Sequence, residues 1–161
     1  MVNYTPRTWA PGDKLLSATA NTEIRDPWTA IQAAWTTYTP AWSSNGTAPV
    51  LGNGTIAGSY MQIGKTVLWR LRLVAGSTTT YGTGAYFVSL PLTPVNPQQI
   101  GTGLVQDTGV NAYGFIASYV GDAGGVRLNS TTSPAIVWGA TTPFTFGNAD
   151  VMFAGGTYEI P

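Results

Sequence analysis

Cysteine and histidine are both absent from the 161 residues, and charge is scarce: seven basic and seven acidic side chains, 9% of the chain, leave a formal net charge of zero. Without cysteine there is no disulfide, thiolate nucleophile or sulfur ligand. Without histidine there is no imidazole base and almost none of the usual zinc chemistry. The missing surplus of Lys and Arg argues against a nucleic-acid partner, since such proteins displace counterions with clustered cations. No apolar run approaches the ~20 residues of a membrane-spanning helix. The opening MVNYTPRTWAPGDK also lacks the charged-then-apolar order of a secretory signal. The expectation is a protein made in a cytoplasm, with no membrane partner.

Hydrophobic residues make up 43% of the chain, enough to bury a core, and Gly (20) and Pro (11) are plentiful. A chain this poor in charge keeps much of its surface against other protein, which points to an oligomer or an assembly component. A Thr-rich monomer is the alternative.

Residues 1–16 read as an extended arm. Pro6 and Pro11 exclude helix, and Pro11-Gly12-Asp13 is a turn. Tyr4 and Trp9 are too large for so short a segment to bury, so they either fold back on their own domain or insert into a neighbouring subunit or particle. Ser17–Tyr38 is the helical region, with Ser17 as a cap and Asp26-Pro27 as a second start. This predicts one short helix to about Arg25 and another from Pro27 to about Trp35. Ile24, Trp28, Ile31, Trp35 and Tyr38 recur in steps of four and three, one narrow stripe. The stripe fits an amphipathic helix packed on its own domain, or a small bundle at the axis of a trimer. Six of the fourteen charged residues fall within the first 26 positions, and that composition shift sets a boundary near Pro40. Residues 1–40 are thus an arm and helix for docking and oligomerisation, and 41–161 a β-domain displayed outward.

From Ala41 on, short apolar runs alternate with Gly, Asn, Ser, Thr and Pro. Thr66–Ala75 is the strongest strand, with Val67, Trp69, Leu71 and Leu73 on one face and Leu68, Arg70, Arg72 and Val74 on the other. Further strands are expected at Thr55–Met61, Ala85–Leu90, Gly103–Gln106, Ala112–Val120, Gly125–Leu128, Ala135–Trp138, Phe144–Phe146, Asp150–Phe153 and Thr157–Ile160. Asn45-Gly46 and Asn53-Gly54 are turn signals. The pattern predicts a mainly β fold, an antiparallel β-sandwich or jelly-roll-like domain after the arm and helix. Gly76–Gly84, GSTTTYGTG, reads as an exposed, mobile loop, and its Tyr81 is the candidate for outward contact, such as stacking on a sugar.

Residues for catalysis are thin. The lysines are Lys14 and Lys65, and no local pattern pairs either with a nucleophile. Asp107, Asp122, Asp150 and Glu159 are the carboxylates of the β-part, and Asp107-Thr-Gly and Asp122-Ala-Gly-Gly are ordinary turn sequences. Gly64-Lys65-Thr66 precedes a strand and lacks P-loop spacing, so it is a turn. Asn45-Gly-Thr, Asn53-Gly-Thr and Asn129-Ser-Thr match the glycosylation sequon and read as turn chemistry. No catalytic, cofactor or metal site is expected.

Two stretches resemble small virion proteins of actinobacterial phages and prophages. In YTPRTWAPGDKLLSATANTEIRDPWTAIQAAW the matching positions are Trp9, Gly12, Ala18 or Ala20, Asn21, Ile24, Arg25 and Asp26, similar to the opening of tail-fibre-like and head-fibre-like proteins. The second stretch is WTTYTPAWSSNGTAPVLGNGTIAGSYMQIGKTV with the AGSTTTYGTG loop and a strand ending SLP; the ending GGTYEIP matches in style. The resemblance implies a non-enzymatic virion component, a homo-oligomer and often a trimer. Its N-terminal part would dock on the major capsid or a tail protein while the β-part faces outward. No long repeat shaft follows the helix, which fits a capsid decoration or short fibre. A tail-associated protein contacting host cell-surface glycan is the alternative.

Overall fold

The structure is a computed structural model; it describes residues 7–95, 98–119, 121, 125–131 and 136–161, residue 98 by its backbone alone. The chain forms two compact units, Met1–Trp35 and Thr36–Pro161. The second therefore begins at Thr36, ahead of the composition shift near Pro40.

In the first unit Ala10–Asp13 is the expected turn: the Asp13 N–H donates to the Ala10 carbonyl at 3.1 Å, the Ala10 N–H donates to Asp13 Oδ2 at 2.9 Å, and Gly12 supplies φ 94°. Helix follows as α1 (Ser17–Ala20), a π-helical turn (Asn21–Arg25) and α2 (Asp26–Ile31). The backbone is helical throughout, so Asp26-Pro27 is not a second start. The π turn lies just before Pro27, whose ring in a regular α-helix would strike the carbonyl four residues back. Widening the turn, so that the Asp26 N–H reaches the Asn21 carbonyl, lets the helix run on. Ser17 is the first helical residue rather than the cap; Leu16 holds that position with no side-chain bond. The helix stops at Ile31, so Trp35 and Tyr38, expected on its stripe, lie beyond it.

The second unit is mainly β and antiparallel, as the turn-punctuated apolar runs predict. Its strands are β1 (Thr36–Tyr38), β2 (Trp42–Ser44), β3 (Thr55–Ile63), β4 (Thr66–Val74), β5 (Tyr86–Val88), β6 (Gln98–Asp107), β7 (Asn111–Tyr119), β8 (Val126–Ser130) and β9 (Val151–Glu159). They form one curled sheet in the order β1-β3-β4-β9-β6-β7-β8-β5-β2, a half-barrel. With every pairing antiparallel, the two outermost strands run in the same direction. They are also consecutive in sequence. From Tyr38 to Trp42 the chain can span at most about 14 Å, so the edges of the sheet must lie close together. One segment, Thr36–Ser44, pairs with β3 through its first half and with β5 through its second. The buried Pro40 sits at the switch, where the missing N–H removes a donor that neither edge would satisfy.

The curl wraps a core of alternate side chains. Val67, Trp69, Leu71 and Leu73 of β4 are buried while Arg70 and Arg72 are exposed, the two faces expected of this strand. Val105, Phe115, Ala117, Leu128, Met152, Ala154 and Tyr158 join them from the neighbouring strands. Gly64-Lys65 is a two-residue hairpin turn, Gly64 at φ 59° in its first position.

Three strand expectations change. The strands expected at Asp150–Phe153 and Thr157–Ile160 are one, β9 (Val151–Glu159), because Gly155 and Gly156 hold register opposite Arg70 and Trp69 instead of breaking it. Phe144–Phe146 is not a strand: the two rings stack, centroids 4.7 Å apart. Of Ala135–Trp138, the described part contributes only an isolated bridge at Val137.

Candidate docking surface

Among its described residues, 7–35, the first unit has large apolar groups and none of its residues is buried. No residue of the helical run Ser17–Ile31 is buried. Ile24, Trp28 and Ile31 lie on one face by their spacing, and they are 51%, 61% and 47% exposed. Leu15 and Leu16, just before the helix, are exposed too, as are Trp9 and Trp35. At about 100 Å² each these seven side chains expose on the order of 700 Å² of apolar surface, close to what one partner brings to a standard protein interface. A helix this short is marginal in water unless an apolar face is covered.

Four of its charges, Arg7, Glu23, Arg25 and Asp26, are paired within the unit. Arg25 binds Asp26 through Nε at 2.9 Å and through the NH2 nitrogen at 2.7 Å. Arg7 Nε stands 3.9 Å from Glu23 Oε1, and the Arg7 guanidinium lies 4.6 Å over the Trp9 ring. A partner covering Ile24, Trp28 and Ile31 has no need to neutralise these groups.

Of the residues expected to dock or oligomerise, Ile24, Trp28 and Ile31 share the helix face, and Trp9 and Trp35 flank the helix in sequence. Tyr4 lies outside the described residues. Tyr38 belongs to the sheet: its ring meets Tyr60 edge-on at 6.1 Å and its hydroxyl is buried with no partner among the described residues. Burial, with Tyr158 adding to it, pushes this phenol well above its ordinary range. Leu15 and Leu16 were missed; an apolar pair just ahead of a helix start, in a segment without a core, was the signal.

Tyr81 is corrected in the same way. Its ring packs inward against Trp42 (6.3 Å) and Phe146 (6.0 Å), and its hydroxyl is buried without a described partner. The loop carrying it is laced down. Asn53 Oδ1 accepts from the Thr78 N–H at 3.0 Å and from the Thr78 hydroxyl at 2.9 Å, and the Val50 and Thr80 backbones exchange bonds of 2.8 and 2.9 Å. Thr83 Oγ1 accepts from the Thr47 N–H at 2.9 Å, and Asn45 Oδ1 from the Ala85 N–H at 2.7 Å. Both Asn-Gly signals thus serve to stitch two loops together, since β2 and β3 do not pair.

Of the carboxylates expected in the β-unit, that of Asp150 has structural partners. Asp150 is 4% exposed, accepting from the Thr108 N–H at 2.9 Å and the Gly147 N–H at 2.7 Å. Asp107 closes the β6–β7 turn, its carbonyl accepting from the Val110 N–H at 2.9 Å. Asp122 lies outside the described residues. Among those described, no cluster of acidic side chains could hold a metal ion, and no helix is long and apolar enough to cross a membrane.

Comparison with family models, with curated proteins and with solved structures finds no match to this chain.

Proposed function

We propose that this chain is a non-enzymatic structural component of a bacteriophage virion. In this reading it is a homo-oligomer, a trimer, standing on the particle as a capsid decoration or short fibre. It docks through its N-terminal arm and helix. The observation that carries the reading is the helix face at Ile24, Trp28 and Ile31, exposed on a unit that buries none of its helical side chains. The charge-poor composition and the resemblance of Trp9–Asp26 to phage fibre openings support it. A second reading, a tail-associated protein that contacts host glycan, draws on the uncharged loops of the β-unit.

The test is mass in solution and on the particle. Light scattering of the full chain should give a multiple of 16.9 kDa, and the protein should co-sediment with phage particles that lack it. A clean monomer that leaves the particles unchanged in mass overturns the proposal.

A further inference from the structure

The two ends of the half-barrel differ in chemistry. The chain enters the sheet at Thr36 running away from one end, where the Gly64-Lys65 turn lies and where β9 finishes at Glu159. We call this the root end. Residues 45–54, 75–85, 108–110 and 136–150 all gather at the opposite, loop end, as the registers of β2, β4, β6 and β8 with their neighbours require. Those four segments contain a single charged residue, Asp150. It is buried, with both carboxylate oxygens on backbone N–H groups. The loop end therefore presents, among the described residues, no cation and one half-buried carboxylate besides Asp150, that of Asp107 at the end of β6.

Hydroxyls and small apolar groups stand in place of cations. Thr78, Thr80 and Thr83 are exposed along the laced loop, Val50 is bridged to Thr80, and Val110 in the β6–β7 turn is 77% exposed. Beneath the loops, half-buried Tyr113 and Phe144 stack at 5.3 Å, continuing through Phe146 to Tyr81 and Trp42. In that row the Trp42 indole N–H and the Tyr81 hydroxyl are buried with no described partner.

We propose that the loop end is a binding surface for a neutral polysaccharide. A sugar ring offers hydroxyls at its edge and C–H groups on its face; uncharged hydroxyls, small apolar tips and aromatic rings answer both. An anionic polymer would find no cation on the described loops. A protein partner would be expected to meet exposed Trp, Tyr or Arg anchors, and among the described residues the exposed large hydrophobics of these loops are Val50, Val110 and Ile136. Mouths of β-barrels are also a common place for ligand sites. The proposal rests on the reading above for its orientation, root end toward the particle and loop end outward.

The test is retention of the full chain on immobilised dextran, mannan, galactan and arabinan, with dextran sulfate and hyaluronan as charged controls. Retention on at least one neutral polymer, unchanged by added salt, is the expected result. Val50→Asp with Val110→Asp should weaken it roughly tenfold or more, while Val95→Asp, in the β5–β6 connection at the root end, should leave it unchanged. Circular dichroism checks that each variant is folded. Retention on none of the neutral polymers, retention only on charged ones and lost in salt, or indifference to both loop-end charges overturns the proposal. Neutral retention without particle association would leave this surface standing and remove the virion reading instead.

Discussion

The indole of Trp69 reaches over a whole strand to the backbone of Ile100. Trp69 is on β4 and Ile100 on β6, with β9 between them, yet the indole N–H donates to the Ile100 carbonyl at 3.0 Å. The β9 residue opposite Trp69 is Gly156, and a Cβ there would run into the Ile100 carbonyl. The hydrogen bond and the glycine are one arrangement. Trp69→Phe should cost about 2–4 kcal/mol, from lost volume and a core carbonyl deprived of its donor. Gly156→Val should cost about 2 kcal/mol or more by forcing the strands apart. Urea unfolding followed by tryptophan emission measures both.

Asp150 should behave as a clamp. Asp150→Ala strands the Thr108 and Gly147 N–H groups in a buried place, at a cost of about 2–4 kcal/mol. Asp107→Ala should cost much less, since the β6–β7 turn uses the Asp107 carbonyl. Equal losses in thermal unfolding would show that Asp150 has no special structural role.

Strong alkali should unfold the sheet through its tyrosines. Burial pushes Tyr158 up to about 12, against the lowering effect of its bond to the Leu92 backbone and with Tyr60 adding to the rise. Tyr38 and Tyr86 are raised as well, burial again the main cause. Ionisation is therefore easier in the unfolded chain, where a tyrosine titrates near about 10. The contribution to stability is intact below pH 10 and falls as pH climbs toward 12, by about 1.4 kcal/mol per tyrosine per pH unit. Phenolate absorbance should lag behind that of free tyrosine and then rise together with loss of the circular dichroism signal. Smooth titration of every tyrosine near pH 10 in folded protein would contradict this.

The laced loops make a local prediction. Asn53→Ala removes the acceptor of the Thr78 N–H and hydroxyl and the donor to Ser77 Oγ. Hydrogen exchange at the Thr78 amide should speed up markedly, and exchange in β4 only as far as a global cost of about 1–2 kcal/mol requires.

Charges on the helix face should separate assembly from folding. Ile24→Asp with Ile31→Asp alters two exposed side chains, so unfolding of the sheet should move by less than about 0.5 kcal/mol. Light scattering should nevertheless fall to the mass of one chain. An oligomer that survives both charges must be held together elsewhere.

What could be read from the sequence depended on how far each pattern extended. β4 was legible because nine residues alternate cleanly, with arginines marking the outer face. β1 and β2 were not: each is three residues long, and Pro40 between them looks like a break when it is a change of partner. Gly155-Gly156 misled in the opposite sense, since glycine in a strand also serves where another backbone comes close. The helix stripe was read correctly from Ile24 to Ile31 and carried too far, because spacing alone does not show where the chain turns extended. Tyr81 was taken for a surface residue from its polar surroundings, and only the aromatic rings brought from distant segments draw it inward.

The bipartite segment Thr36–Ser44 also has a mechanical meaning. A tug on the chain at Thr36, directed away from the loop end, runs along β1 rather than across it. The β1–β3 hydrogen bonds are then loaded side by side in shear, and Pro40 passes the load to β2 and its bonds with β5. A sheet tethered in this way resists peeling, because no single bond has to carry the force alone.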